Sequence, residues 1–508
     1  MAARDLQDMV RAILTSAVYE VAVETPLDRM TQVSARLNRD VLLKREDLQP
    51  VFSFKIRGAH NRIRGLTPEE RACGVICASA GNHAQGVALS AARLGIRAVI
   101  VMPTTTPSIK SRSVARLGGE VVLFGDTFDA ARAHAEDLAA RDGLVFVHPF
   151  DDAAVIAGQG TIGMELLRQC PGDIGAIYLP IGGGGLAAGV AAYVKFLRPD
   201  IKVYGVEPED AASMQAAIAA GRPVELERVG IFADGVAVRR VGELTFALCR
   251  NHLDGIVTVT TDEICAAIKD IFDDTRAIAE PAGALSLAGL RRHVEDGQAP
   301  AGPLVAVASG ANVNFDRLRH VAERAEIGER AEALLGVTIP EVPGSYRTFI
   351  RLLGGRAITE FNYRYAAGQP AQIFVGVKLA GGDREKQQII ALLRDAGHNV
   401  IDMTDNEVAK LHVRYMVGGR AAHLTDELVY RFQFPERPGA LLAFLDGLRP
   451  DWNISLFHYR NHGADYGRVL VGIQVPEAER DQFHACIDAL GYAYWDEGAN
   501  PAYGLFLA

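Results

Sequence analysis

Cysteine is scarce: six in 508 residues (Cys73, Cys77, Cys170, Cys249, Cys265 and Cys486), with only Cys73 and Cys77 close together. Such spacing offers no disulfide framework and points to a reducing compartment. Cys73 and Cys77 have the separation of a zinc half-site, but no second Cys or His pair answers them, so no metal is expected and both read as small core residues. The chain also lacks an apolar run of about 18 residues, a signal-peptide core and an Arg/Ser-rich leader, which disfavours membrane spans and organelle import and leaves a cytoplasmic protein. Basic residues are spread rather than clustered and the formal charge is −9, which argues against a nucleic-acid surface.

What is present reads as globular. Hydrophobic residues make up 49% and charged residues 23%, and 508 residues exceed what one core organises. An amphipathic helix is expected over Leu6 to Tyr19, with Leu6, Met9, Val10, Ile13, Leu14 and Ala17 on one face. From residue 41 to 310, short β-branched runs alternate with alanine-rich stretches: Val75 to Cys77, Ala98 to Val101, Val121 to Phe124, Ala176 to Leu179, Val203 to Val206, Ile256 to Val259 and Leu304 to Ala308. That alternation is the mark of an α/β fold whose mostly parallel sheet is covered by helices. Ligands of such sheets sit beyond the carboxyl ends of the strands, so the chemistry belongs in the loops that follow these runs.

Beyond residue 330 the chain repeats itself. Pro340-Glu341-Val342-Pro343-Gly344 is answered 95 residues later by Pro435-Glu436-Arg437-Pro438-Gly439. Ile358 to Arg364 is answered 96 residues later by Ile454 to Arg460, and Phe374 to Val377 by Leu470 to Ile473. Each copy reads as strand, helix, strand, strand, helix, strand, which is the split βαβ, ferredoxin-like order. A purely structural duplication fits the same pattern.

Five segments carry polar chemistry, three of them directly after apolar strand runs. Lys55 sits between aromatic residues and Gly58, in Phe52-Ser53-Phe54-Lys55-Ile56-Arg57-Gly58-Ala59. Desolvation there favours the neutral amine, which is the form that attacks an aldehyde, although taken alone a lysine in such a context reads equally as an ordinary surface lysine. Ser79-Ala80-Gly81-Asn82-His83 runs straight from a strand into a helix from Ala84 to Leu94, and reads either as an anion site or as an ordinary N-cap. Gly182-Gly183-Gly184-Gly185-Leu186 follows the next strand; it lacks the dinucleotide spacing and the Lys-Ser/Thr of a triphosphate loop, which leaves a phosphate on a compact cofactor. Ser309-Gly310-Ala311-Asn312 ends the last strand, and Glu280, before Pro281, is either a helix N-terminal charge or a pocket residue.

Together these motifs, in this order and essentially end to end, resemble the serine/threonine dehydratases of the fold type II pyridoxal-phosphate enzymes, with the doubled tail resembling their ACT-like regulatory domains. The resemblance implies a tryptophan synthase β-like catalytic domain with a parallel sheet, plus two α+β ferredoxin-like modules. Expected boundaries are 1–325 for the catalytic domain, 326–335 for a linker, and 336–409 and 427–500 for the modules. The implied cofactor is pyridoxal 5'-phosphate and the implied reaction is deamination of L-threonine, and also of L-serine, by β-elimination.

By the same resemblance Lys55 holds the cofactor covalently and moves the α proton, Asn82 contacts the ring oxygen, and Gly182, Gly183, Gly184, Gly185 and Leu186 take the phosphate. Ser309 would bond the pyridine nitrogen, a neutral partner that suits elimination, and Ser79, Ala80, Gly81, Asn82 and His83 would take the substrate carboxylate. Ala80 departs from the racemases of this group, which usually carry a second Ser there, so racemisation is disfavoured. Ser213 stands where cation-binding relatives of Glu207 to Ala211 would need another carboxylate, so that metal is not expected either. Tyr363, Arg364, Tyr459 and Arg460 fall at equivalent positions of the repeat and are implied effector residues for isoleucine and valine, although residues that simply pack the two modules together would look alike. The family is typically a homotetramer.

Overall fold

The computed structural model describes residues 3–315, 317–340, 348–349, 352–354, 356, 358–363, 370–415, 426–435, 447–449, 452–460 and 466–507. They form two compact units, Met1–Ala325 and Glu326–Ala508.

In the first unit the apolar runs are strands of two sheets. The larger has the order β1 (Leu27–Arg29), β2 (Val41–Arg45), β10 (Leu304–Ala308), β7 (Ala176–Pro180), β8 (Lys202–Pro208) and β9 (Gly255–Val259), with β1 antiparallel and the others parallel. The smaller is parallel, in the order β5 (Glu120–Leu123), β4 (Ala98–Met102), β3 (Val75–Ala78) and β6 (Val145–Phe146). Every residue of β3, β4, β7 and β10 is buried, so these strands read as continuous apolar runs because helices cover both faces. Alternate side chains serve opposite cores: Ile177, Leu179, Val305 and Val307 join one cluster, Ala176, Tyr178, Leu304, Ala306 and Ala308 the other.

The helices of this unit are α1 (Ala3–Leu14), α2 (Thr31–Leu37), α3 (Lys55–Arg64), α4 (Pro68–Cys73), α5 (Asn82–Leu94), α6 (Ser108–Arg116), α7 (Phe128–Asp142), α8 (Ala153–Gln169), α9 (Gly185–Leu197), α10 (Ser213–Ala220), α11 (Glu243–His252), α12 (Thr261–Thr275), α13 (Pro281–Glu295) and α14 (Arg317–Gly328). Two expectations need correction. The first helix stops at Leu14 rather than reaching Tyr19, because Thr15 and Ser16 turn their hydroxyls back onto the Arg11 and Ala12 carbonyls and Ala17 donates instead to Asn61. Leu14 is exposed, while Met9, Val10 and Ile13 are buried. Cys73 is exposed at the end of α4, whereas Cys77 lies in the core of β3 as expected.

α3 is fixed by backbone contact and by charge. It meets α8 where glycines face each other: a Cβ at Gly158 would lie 2.7 Å from the Arg57 carbonyl, and one at Gly58 2.7 Å from the Val155 carbonyl. Next to this crossing a buried ionic group closes on Arg57. Its guanidinium donates to Glu46 at 2.7 Å and to Glu165 at 2.6 Å, and Lys44 reaches Glu165 at 2.6 Å, all four side chains without solvent exposure. Burial alone would raise the Glu165 carboxyl, but Arg57 and Lys44 hold it below its ordinary pKa.

In the second unit the two repeats are two four-stranded sheets of one topology. The first has the order β12 (Ile358–Tyr363), β13 (Ala371–Lys378), β11 (Glu332–Ile339), β14 (Asn399–Asp402); the second β16 (Asn453–Arg460), β17 (Tyr466–Gln474), β15 (Glu427–Pro435), β18 (Ala493–Asp496). This antiparallel order is that of the split βαβ module. The repeat extends to irregularities, since the register shifts between Ile358 and Glu360 in one copy and between Ile454 and Leu456 in the other. Leu334 and Phe374 of the first sheet share an apolar cluster with Val429 and Leu470 of the second. The stretch 326–335, expected as a linker, instead holds the end of α14 and the start of β11, because Glu332 to Leu335 pair with β13 and are buried.

Candidate active site

Lys55 opens α3, and its Nζ donates to the Pro149 carbonyl at 2.9 Å. The amine stands 5.3 Å from the Phe54 ring centre. Burial pushes its pKa down to about 8, with the nearby Glu280 carboxyl opposing the fall. Phe52, expected to shield the amine as well, is exposed and sits at a positive φ of 55°. It serves the backbone instead: Phe52 accepts from the Ala311 N–H at 2.9 Å and Phe54 donates to the Ser309 carbonyl at 3.2 Å, which ties the Lys55 turn to the end of β10.

The glycine loop leaves β7 and enters α9. A Cβ at Gly183 would collide with the Phe150 ring, one at Gly182 would lie 2.9 Å from the Val236 backbone, and Gly184 has φ of +95°. Thr245 Oγ1 donates to the Gly183 carbonyl at 2.7 Å, and Cys249 Sγ lies 3.8 Å from the Gly184 carbonyl. In a trans peptide the following N–H points the opposite way, so the N–H groups of Gly184 and Gly185 face away from α11. With the unsatisfied first N–H groups of α9 behind them, they form a cradle of the kind that holds a phosphate. Leu186 is buried, so it can offer only its backbone N–H.

The loop at Ser79, Ala80 and Gly81 joins β3 to α5, and Asn82 and His83 are the first residues of that helix. Their backbone N–H groups stand at a helix start, where a carboxylate is favoured. Ser79 Oγ accepts from the Gly81 N–H at 3.3 Å. The His83 ring points elsewhere, bonded to the Val147 carbonyl at 2.9 Å, and burial pushes its pKa to about 3, so it is a neutral donor.

The Asn82 side chain donates to Glu280 and accepts from Asn312 Nδ2 at 2.6 Å. Glu280 thus stands before α13 with its side chain turned to Asn82, and burial followed by the charge of Asp234 lifts its carboxyl to about 7. Burial would raise Asp234 too, yet Lys110 at 2.7 Å and Arg317 at 3.1 Å keep it well below the usual carboxylate range. Ser309 is buried with Oγ directed at the Ala282 carbonyl, 3.2 Å away. A hydroxyl there can turn to a ring nitrogen.

The structure thus gathers Lys55, the Ser79 to His83 turn, the glycine loop and Ser309 around one place. Sequence reasoning missed the segment that joins them, His148 to Asp152. Pro149 takes the Lys55 amine, Phe150 packs on Gly183, Asp151 accepts from the N–H groups of Glu243, Leu244 and Thr245, and Asp152 caps α8. The one usable signal was Asp152 before an apolar helical run, an N-cap pattern.

Glu207 was singled out as a segment where relatives bind a cation. Here both its oxygens accept backbone N–H groups, Met214 at 2.7 Å and Gln215 at 2.9 Å, so it caps α10. Tyr363 ends β12 and Tyr459 and Arg460 end β16, but their side chains, and Arg364 altogether, lie outside the described residues.

The donor set fits pyridoxal phosphate: an enclosed amine, a phosphate cradle and a buried hydroxyl converge, with bare glycine backbone between them. Comparison with known proteins agrees. Residues 19–310 match the pyridoxal-phosphate dependent enzyme family, and residues 323–413 and 418–507 each match the C-terminal regulatory domain of threonine dehydratase. The chain is 56% identical to a biosynthetic L-threonine dehydratase of Burkholderia multivorans, over 99% of each chain. It is 55% identical to that of Escherichia coli, over 99% of this chain and 97% of the other. Among solved structures, the processed form of threonine deaminase isoform 2 from Solanum lycopersicum aligns with a TM-score of 0.63 and 51% identity, covering 64% of this chain and 94% of that one. By its catalytic half, its doubled tail and this end-to-end likeness, the chain belongs to the biosynthetic threonine dehydratase family of pyridoxal-phosphate-dependent enzymes.

Proposed function

We propose that this enzyme deaminates L-threonine, and also L-serine, converting threonine to 2-oxobutanoate and ammonia in the cytoplasm as the first step towards isoleucine, and that isoleucine feeds back on its regulatory half. Lys55 carries the cofactor and moves the proton at the substrate α carbon. When bound, pyridoxal phosphate supplies the electron sink that weakens the bonds at that carbon.

The chain's own residues do the rest. The N–H groups at the start of α5, from Ser79 to His83, orient the substrate carboxylate. Gly182 to Gly185 with Leu186 would anchor the phosphate, Asn82 would donate to the ring oxygen, and Ser309 would bond the ring nitrogen without a charge. Lys55 is suited to proton transfer because its pKa of about 8 lets it accept and release a proton near neutrality. Ala80 offers no base on the opposite face, which favours elimination over racemisation. The observation that carries this reading is the enclosed Lys55 amine, held 2.9 Å from the Pro149 carbonyl, whose neighbour Phe150 packs on the glycine loop.

Regulation follows from the doubled module. Isoleucine inhibits and valine opposes it at sites built on Tyr363, Arg364, Tyr459 and Arg460, which requires each effector to prefer one of two states of the assembly. The assembly is a homotetramer, the kind of closed symmetric oligomer that can switch in concert. Among the described residues no helix is long and apolar enough to cross a membrane. A steady-state assay with threonine, with and without isoleucine, tests the proposal: turnover that isoleucine suppresses is expected, and absence of turnover with cofactor present would overturn it.

A further inference from the structure

A side-chain amide can sit in either of two orientations, and the atoms around Asn82 select one. The Asn312 side chain lies 2.8 Å from the Val51 carbonyl oxygen, which can only accept, so the atom of Asn312 facing it is the nitrogen. That nitrogen also lies 2.6 Å from the Asn82 side chain, which must therefore turn its oxygen towards it. The other end of the Asn82 amide is then nitrogen, and it donates to Glu280 Oε1. An amide nitrogen bears two hydrogens, so one remains after Glu280 has taken its share. Glu280 is itself fixed: its N–H donates to the Gly310 carbonyl at 3.1 Å, and the residue is buried. A Cβ at Gly310 would strike the Glu280 carboxylate and stand 3.2 Å from the Asn82 nitrogen, so bare backbone beside Ser309 borders this amide.

We propose that Glu280 is a positioning residue of the cofactor site: with Asn312 it locks the Asn82 amide in one orientation, so that the remaining N–H of that amide is presented to the ring oxygen of pyridoxal phosphate. The proposal rests on the reading of Asn82 given above. Glu280 acts through Asn82. Without an acceptor at position 280 the amide can reverse and place its oxygen against the ring oxygen, where two acceptors repel.

The test titrates apoprotein with pyridoxal phosphate, following the absorbance of the bound cofactor, for wild type, Glu280→Leu, Glu280→Gln, Asn82→Ala and the Glu280→Leu/Asn82→Ala double variant. Glu280→Leu and Asn82→Ala should each weaken cofactor binding about tenfold, as loss of one hydrogen bond of this kind does, and move the absorbance maximum in the same direction. Glu280→Gln, which keeps an acceptor oxygen, should stay within about twofold of wild type, since the bond itself survives. The double variant should bind no more weakly than Asn82→Ala, because the path is already cut. Unchanged affinity and spectrum in folded Glu280→Leu, unchanged binding in Asn82→Ala, or additive losses in the double variant would each overturn the proposal. If Glu280→Leu does not fold, Asn312→Ala takes its place in the same scheme, with the same expected weakening and the same absence of additivity. A wild-type protein that binds no cofactor would instead overturn the pyridoxal-phosphate site as a whole.

Discussion

Glu165→Gln removes one charge from the buried group of Lys44, Glu46, Arg57 and Glu165 and changes the shape of the side chain very little. Two cations then share one carboxylate at positions with no solvent exposure. Deleting one partner of a buried pair costs about 3–5 kcal/mol. Lys44 limits that cost by giving up its proton: burial already pulls its pKa below the ordinary value, and Glu165 is the main charge resisting the fall. Once Glu165 is neutral, Lys44 binds its proton more weakly still, so its folded-state pKa falls further below that of the unfolded chain than in wild type. Between those two pKa values the unfolded state holds more protons, so stability rises with pH. At pH 7 and a fixed scan rate, the thermal midpoint of the catalytic unit should fall by up to about 6–10 °C, the full cost at about 2 °C per kcal/mol for a unit of this size, less whatever deprotonation of Lys44 recovers. By pH 9 the deficit against wild type should narrow. A midpoint unchanged at pH 7, or a deficit that widens as pH rises, would refute the reasoning.

Two further outcomes concern the active site and a third the regulatory unit. In apoprotein, labelling of the Lys55 amine by fluorodinitrobenzene should rise with a midpoint near pH 8, the amine being charged and unreactive below it; a midpoint in the range of an exposed lysine would show that the amine is solvated. Gly183→Ala should weaken cofactor binding about ten- to a hundredfold in the same titration, at about 1–3 kcal/mol for overpacking, because the added methyl meets the Phe150 ring; wild-type affinity would mean the loop does not lie against that ring when the phosphate binds. Changing Tyr363 and Tyr459 together to Ala should abolish isoleucine inhibition while turnover persists, and continued inhibition would remove both residues from the effector sites.

Much of this was legible in the sequence, for reasons that differ by region. Strands buried on both faces are spelled as unbroken apolar runs, so Ala176 to Leu179 and Leu304 to Ala308 could be placed to within a residue. The glycine loop announced itself because few other roles tolerate four glycines in a row. The short β1 and β6, of three and two residues, carry too little pattern to be seen. The start of the regulatory unit was misplaced because Glu332, a charged residue, begins a buried strand where Arg414 compensates it at 2.8 Å. Around the site, side chains at strand ends were singled out, but groups that act through the backbone were not: the Pro149 carbonyl and the Asp151 cap are properties of geometry, and only Asp152 carried an N-cap pattern. Asn312 was quoted within a motif, yet its bond to Asn82 joins residues 230 positions apart.

The central claim is that a single enclosed amine captures the cofactor beside the glycine cradle. Borohydride reduction of the holoprotein, followed by digestion and mass spectrometry, tests it most directly. The pyridoxyl label should appear on the peptide containing Lys55 and on no other lysine. A label elsewhere, or none, would contradict the account.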